Sequence, residues 1–194
     1  MDIEKKLHEL RIFIGKHGLF GAKEKILLAI SGGVDSVVMG RLMVELGQPF
    51  CVVHCNFKLR GEASDGDEAF VKQLANEWKV QFFSTSFDTT AFAEENGLSI
   101  QMAARELRYG YFSTLSEQQG NAKIATAHHV NDALETILLN LTHGTGFRGL
   151  SGITPARDHF VRPMLAFTGE EIREIAGALA LKWREDASNA KDAY

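Results

Sequence analysis

The chain alternates short, nearly unbroken apolar runs with longer stretches in which apolar residues recur every three or four positions. Ile26–Ile30 (ILLAI), Phe50–Val53 (FCVV), Val80–Phe83 (VQFF) and Lys123–Thr126 (KIAT) read as strands buried on both faces. Between and after them, Val34–Leu46, Asp65–Lys79, Ile100–Glu117 and Asn131–His143 carry the helical period. Ser64 before Asp67 and Thr168 before Glu171 predict helix N-caps followed by an acidic first turn. A β-α-β-α alternation predicts a doubly wound α/β fold, a mainly parallel sheet with helices on both faces. In such sheets ligands sit beyond the carboxyl ends of the strands, where the strand order reverses, so chemistry is sought just after each strand. No internal repeat interrupts the pattern, and the one loop-rich stretch is Thr142–Arg157.

The first strand runs directly into Ser31-Gly32-Gly33-Val34-Asp35-Ser36 and then a helix. Two glycines allow positive φ and a close approach of backbone to a ligand. The free N–H groups and positive dipole end of the following helix favour an anion there, and Ser31 and Ser36 add hydroxyls. The loop matches neither G-x-x-x-x-G-K nor G-x-G-x-x-G. Asp35 is out of place beside a bare phosphate, so it implies Mg²⁺ or a catalytic role; the alternative is a carboxylate that complements the helix dipole.

Composition narrows the setting. A length of 194 residues suits one large domain, or one plus a fragment. Hydrophobic residues at 45% and charged residues at 24% exclude wholesale disorder. No apolar run approaches the ~18 residues of a membrane helix, and the charged opening Met1–Leu10 predicts neither a secretory leader nor a membrane partner. Cys51 and Cys55 cannot make a disulfide framework, their C-x3-C spacing matches no common metal knuckle, and a reducing, cytoplasmic setting is the expectation. They fall on one face of their strand, where burial as small apolar side chains is expected. A net charge of −4 excludes a surface basic all over and leaves room for a local patch, with Lys58, Arg60, Arg105 and Arg148 as candidates.

SGGVDS after a strand resembles the pyrophosphate loop of the N-type ATP pyrophosphatases, or PP-loop enzymes, which adenylate a carbonyl and release pyrophosphate. Three further segments resemble tRNA(Ile)-lysidine synthases. They are His54-Cys55-Asn56-Phe57-Lys58-Leu59-Arg60-Gly61-Glu62, then Ala125–Thr136 (ATAHHVNDALET), then Gly144–Leu150 (GTGFRGL) with Arg162–Leu165 (RPML) and Asp186–Asn189 (DASN). The chain departs from that family at Phe57, where His is common, and at Asn131, which replaces the first acid of a pair and leaves Asp132 as its carboxylate. The resemblance implies a five-stranded sheet in the order 3-2-1-4-5. It also implies one adenylating domain over residues 1–194, truncated before the C-terminal tRNA-recognition domains of the family.

The implied reaction converts the wobble cytidine of tRNA(Ile) with a CAU anticodon to lysidine, using ATP, Mg²⁺ and free L-lysine. By resemblance ATP binds at Ala29, Ile30, Ser31, Gly32, Gly33, Val34, Asp35 and Ser36, with His54 near the adenine. Asp35 and Asp132 are the candidate Mg²⁺ ligands, and His128 and Arg108 the candidate groups at the transferred phosphorus. An aspartate such as Asp35 is then a candidate acceptor for the lysine proton. If the helix begins at His128, that residue and Asp132, four apart, share a face; otherwise they cap the helix and pair with each other. Arg105 is a phosphate contact or part of a solvated face, and Trp78 and Trp183 are expected in packing. The sequence leaves open a homodimer, another adenylating PP-loop enzyme, and a non-catalytic nucleotide-binding fragment. The cysteine pairs expected of tRNA-thiolating relatives are missing from the chain, as is a glutaminase-type cysteine loop.

Overall fold

A computed structural model describes residues 1–142 and 152–185. The elements in chain order are α1 (Ile3–Lys16), β1 (Ile26–Ala29), α2 (Val34–Leu46), β2 (Phe50–Asn56), α3 (Glu62–Glu77), β3 (Phe82–Ser86), α4 (Thr89–Asn96) and α5 (Ile100–Gln118). There follow β4 (Ile124–Ala125), α6 (Val130–Thr142), β5 (Ala156–Arg157), β6 (Phe160–Val161), a 3-10 turn (Pro163–Ala166) and α7 (Gly169–Ala178). The sheet order is β3-β2-β1-β4-β6-β5. Every pairing is parallel except β5 with β6. The doubly wound α/β fold expected from the alternation is therefore present. The order 3-2-1-4 holds, with β6 in the fifth place and β5 added as a short antiparallel edge.

Period-2 alternation on β1 and β2 divides the core between the two faces. Ile26, Leu28, Phe50 and Val52 point into one cluster, which α1, α2, α3 and α7 cover. Leu27, Cys51 and Val53 point into the other, with Phe112 and Leu115 of α5, Ile124 and Phe160, and Cys55 packs against it. The two cysteines thus share a face as expected, and both are free. Trp78 packs over Gly40, where a Cβ would run into its ring, so α2 and α3 approach closely at that glycine. Trp183, expected in packing, is instead exposed.

Several boundaries differ from the periodic reading. β3 begins at Phe82 rather than Val80 and continues through Ser84, Thr85 and Ser86. It is the edge strand, half-exposed, so polar residues are tolerated where an apolar run was sought. Ser64 is not a cap: α3 starts at Glu62 behind Gly61, and the Ser64 hydroxyl accepts from the Arg60 N–H. Thr168 and Glu171 do form a reciprocal capping box. Helix α1 has no strand beside it to flag it, yet Leu7, Leu10 and Ile14 are buried on one stripe. Each contributes about 1.5–3 kcal/mol of apolar burial. That exceeds the ~0–1 kcal/mol typical of a surface ion pair such as Lys6–Glu171, so the stripe holds α1 in place.

The chain turns back across the sheet between β1 and β4. The carboxyl ends of these two neighbours therefore open the crevice in which a ligand is expected.

Candidate active site

The loop after β1 is built around Ser36. Its buried hydroxyl accepts from the N–H groups of Ser31 (3.2 Å) and Gly32 (3.3 Å) and donates to the Gly33 carbonyl (2.9 Å). Ser36 thus braces the loop from inside, while Ser31 is exposed. Gly32 has φ +100 and rests on Phe70 and Val71 of α3. Gly33, the N-cap of α2, has an ordinary φ of −71, so only one of the two glycines uses the left-handed region. Val34 packs against the core.

A cavity of about 250 Å³ opens beside this loop. Ala29, Ile30, Ser31, Asp35, Ser36, His54, Arg108, His128 and Asp132 all line it, so the structure brings together every predicted site residue except Gly32, Gly33 and Val34. Gly33 lines a neighbouring hollow of about 400 Å³ with Arg60, Asp67 and Arg184. The two spaces share Ser31, His54, Cys55, Phe57 and Arg108. The segments Gly144–Leu150 and Asp186–Asn189 lie outside the described residues.

His54 is buried, and its Nδ1 is 2.8 Å from the Ile30 carbonyl. A carbonyl only accepts, so Nδ1 carries the proton and Nε2 is left as an acceptor. Burial pushes its pKa down from the ordinary 6.5. His128 precedes α6 and does not pair with Asp132; its Nδ1 lies 2.9 Å from the Thr126 hydroxyl. Burial, reinforced by Arg162, Arg105 and Arg108, also holds His128 below the ordinary imidazole range, against an opposing pull from Asp132. A neutral His128 that accepts from Thr126 at Nδ1 keeps a proton on Nε2 to donate.

Asp132 caps α6: its Oδ2 accepts from the His129 N–H at 2.8 Å. The residue between the two acids is His129, which the sequence reading passed over in favour of its neighbour. Its Nε2 is 3.8 Å from Asp35 Oδ1 and its Nδ1 is 3.6 Å from Asp132 Oδ2. Burial raises the Asp35 pKa; His129 opposes that shift and the Asp132 charge adds to it, and both carboxylates lie within 4 Å of the His129 ring nitrogens. Asn131 turns away and accepts the Gly169 N–H at 2.9 Å, tying α7 to the start of α6.

Phe57 has a definite place. It stacks on Phe87 at 5.8 Å between ring centres, and the Arg108 guanidinium lies 5.1 Å above it. A cation–π contact therefore holds Arg108 at the cavity. Arg184, which no periodicity singled out, donates its backbone N–H to the Gly32 carbonyl (2.9 Å) and its Nε to buried Asp67 (2.8 Å). Asp67 also accepts from Arg60 at 2.6 Å. Burial pushes the Cys55 thiol up to about 12, so it remains protonated at neutral pH and is a poor nucleophile.

The two histidines give the fold a testable pH dependence. A group whose folded pKa is depressed stabilises the fold above its unfolded value and loses that contribution as pH falls through the folded value. The midpoint of urea unfolding is expected to hold above pH 6.5 and to fall below it. That decline begins before the lowered carboxyls Glu68 and Glu171, ordinarily at 4.5, contribute their own. A midpoint unchanged between pH 7.5 and pH 5 would contradict the burial of neutral His54 and His128.

A family profile described as the PP-loop domain matches residues 3–194, and the chain belongs to that family. It is 44% identical to the tRNA(Ile)-lysidine synthase of Parabacteroides distasonis over 188 residues, covering 97% of this chain and 43% of that protein. It is 43% identical to the synthase of Bacteroides thetaiotaomicron over 182 residues, covering 94% of this chain and 43% of that protein. The chain thus spans less than half the length of these curated relatives. Among solved structures, a U34-tRNA thiolase from Methanococcus maripaludis superposes with a TM-score of 0.76 at 20% identity, covering 94% of this chain and 66% of that one. An NH3-dependent NAD synthetase from Campylobacter jejuni gives 0.63 at 17% identity, covering 100% and 79%. These two likenesses show the fold. Among the described residues no helix is long and apolar enough to cross a membrane.

Proposed function

We propose that residues 1–194 form the ATP-dependent adenylating domain of a tRNA(Ile)-lysidine synthase, within a longer protein whose other domains recognise the tRNA. The observation that carries this reading is one cavity lined by Ser31 and Ser36 of the glycine loop, the carboxylates of Asp35 and Asp132, His128 held neutral by burial, and Arg108. In the proposed first step the cytidine O2 attacks the α-phosphorus of ATP, forming an O–P bond as the bond to pyrophosphate breaks. In the second, the lysine ε-amine forms a C–N bond at C2, the C–O bond breaks, AMP leaves and the amine gives up a proton.

The chain's share is positioning and charge stabilisation. The loop and the start of α2 cradle the phosphates, His54 Nε2 faces the base, and His128 Nε2–H and Arg108 face the phosphorus. Asp35 and Asp132 fit Mg²⁺: hard oxygen donors on two element starts, few enough to leave room for waters and phosphate. Among the described residues no cluster of three or more His, Cys, Asp or Glu is disposed to enclose a metal, which also suits an ion shared with nucleotide. When bound, the ion neutralises phosphate charge. The high Cys55 pKa and the buried Cys51 favour ligation over thiol chemistry.

The test is lysine incorporation into tRNA(Ile) bearing CAU, against the same tRNA with an altered anticodon. It is run with residues 1–194 alone and with them joined to the C-terminal part of a curated relative. ATP- and CAU-dependent incorporation is expected for the joined protein. It should be very slow for residues 1–194, because an unpositioned cytidine forfeits a proximity contribution that can reach ~7–11 kcal/mol. ATP cleavage without lysine incorporation in the joined protein would replace the ligase reading with another adenylating activity.

A further inference from the structure

The outer face of α5 and the adjoining hairpin bring Arg105, Arg157 and Arg162 together in a domain of net charge −4. Arg105 is exposed, with its guanidinium 4.7 Å above the Tyr109 ring, one turn along the same helix face. Tyr109 packs edge-on against Phe160 of β6 at 4.8 Å and lies near the Arg162 guanidinium. Arg157 of β5 projects into solvent, 82% exposed. Arg162 donates through one terminal nitrogen to the Thr154 carbonyl, while its Nε is buried with no hydrogen-bond partner. Arg108 joins the group from the cavity side.

The nearby acids are Glu106, beside Arg105, and Asp158, 3.9 Å from Arg157. On this outer face three guanidiniums, Arg105, Arg157 and Arg162, meet two carboxylates, while Arg108 faces Asp35 and Asp132 across the cavity. An anion would relieve the outer surplus. The patch is also shaped. Met102 (58% exposed), Arg105, Glu106 and Tyr109 line a hollow of about 350 Å³, and Tyr109 lines both that hollow and the catalytic cavity. The exposed guanidinium plane of Arg105 and the Met102 side chain offer flat and apolar surfaces of the kind on which unpaired bases stack.

We propose that this face, Arg105 to Tyr109 with Arg157 and Arg162, is a track for single-stranded RNA that leads a loop nucleotide to the mouth of the catalytic cavity. The inference rests on the adenylating reading above and assigns its polynucleotide substrate a surface on this domain. An acidic peptide would satisfy the charge and leave the stacking platform unused. Of the four basic residues suggested by sequence, Arg105 lies on this track, Arg60 lines the neighbouring hollow, and Arg148 lies outside the described residues.

The experiment titrates a labelled anticodon stem-loop with residues 1–194 at about 50 and about 200 mM salt, following fluorescence anisotropy. The double variant Arg105→Glu/Arg157→Glu alters two exposed residues away from the core. Arg41→Glu, on α2 across the sheet, is the control. The double variant should bind the RNA about fivefold or more weakly at low salt. Its slope of log affinity against log salt should shrink by about 1.4, two contacts at ~0.7 each. Its Mg-ATP affinity should be unchanged. Equal affinity and slope for the double variant, an equal loss in the control, or no binding by the unaltered chain at low salt would each overturn the track. Polyglutamate bound as tightly, with the same sensitivity, would overturn the assignment to RNA. Mg-ATP binding by the unaltered chain reports separately on the adenylating reading, and the RNA titration decides the surface whichever way that result falls.

Discussion

Replacing Asp35 or Asp132 by asparagine is expected to abolish pyrophosphate release by these residues joined to the C-terminal part of a curated relative, a fall on the order of 10³-fold or more, equivalent to ~4 kcal/mol of transition-state stabilisation. The substitution removes a charge and little else. In Asp132→Asn the side chain keeps an oxygen able to accept the His129 N–H, so the cap on α6 survives and the loss cannot be assigned to a frayed helix. Nucleotide binding without Mg²⁺ should hold or tighten, because a negative charge near the phosphates has gone. That divergence between binding and turnover is the signature of a metal ligand. Stopped pyrophosphate-release assays and Mg²⁺-free calorimetry measure the two arms. Full turnover by Asp132→Asn would reduce Asp132 to its capping role and leave Asp35 without a partner.

Gly33→Val is the sharper probe of the loop. A Cβ at Gly33 meets only the Ser31 hydroxyl, at an ordinary 3.5 Å, and the backbone there has a φ that any residue adopts. The fold should survive the change with at most the modest cost of a valine at the N-cap of α2, whereas a branched side chain stands where a phosphate must approach the backbone. ATP affinity should drop tenfold or more, at least ~1.4 kcal/mol, in a protein that still unfolds cooperatively. Gly32 is the opposite case: at φ +100 any side chain strains the loop itself, and its substitution would mix folding with binding. Unaltered affinity in Gly33→Val would remove the loop from the nucleotide site.

How much could be read in advance follows from the kind of signal each residue leaves. Ile26–Ala29 and Phe50–Asn56 announce themselves because a central parallel strand is apolar on both faces, and the loop at its end inherits a fixed address. Asp35, His128, Asp132 and Arg108 were legible because local spacing and resemblance both marked them. Helix α1 was not, since its three buried residues sit among eleven others that are largely polar or half-exposed. Ser64 was misjudged because a serine three residues before an acid looks the same whether it opens a helix or lies in its first turn. His129 reaches Asp35 and Arg184 reaches Asp67 across long stretches of sequence, and no window of a dozen residues contains either pair. Phe57 shows the reverse: a departure from the family pattern that looked like a lost polar contact holds Arg108 by its ring instead.

The hydrogen bond from Arg184 to the Gly32 carbonyl bears on the order in which this protein is completed. The glycine loop follows the first strand and is among the earlier segments synthesised, yet part of its frame is supplied by a residue beyond α7. A contact of such long sequence separation forms only after its large closure entropy has been met, so it belongs late in folding. The sheet and its two flanking layers can assemble on the growing chain while this carbonyl still faces water. The frame of this loop is therefore expected to be completed late, with the docking of residues 181–185.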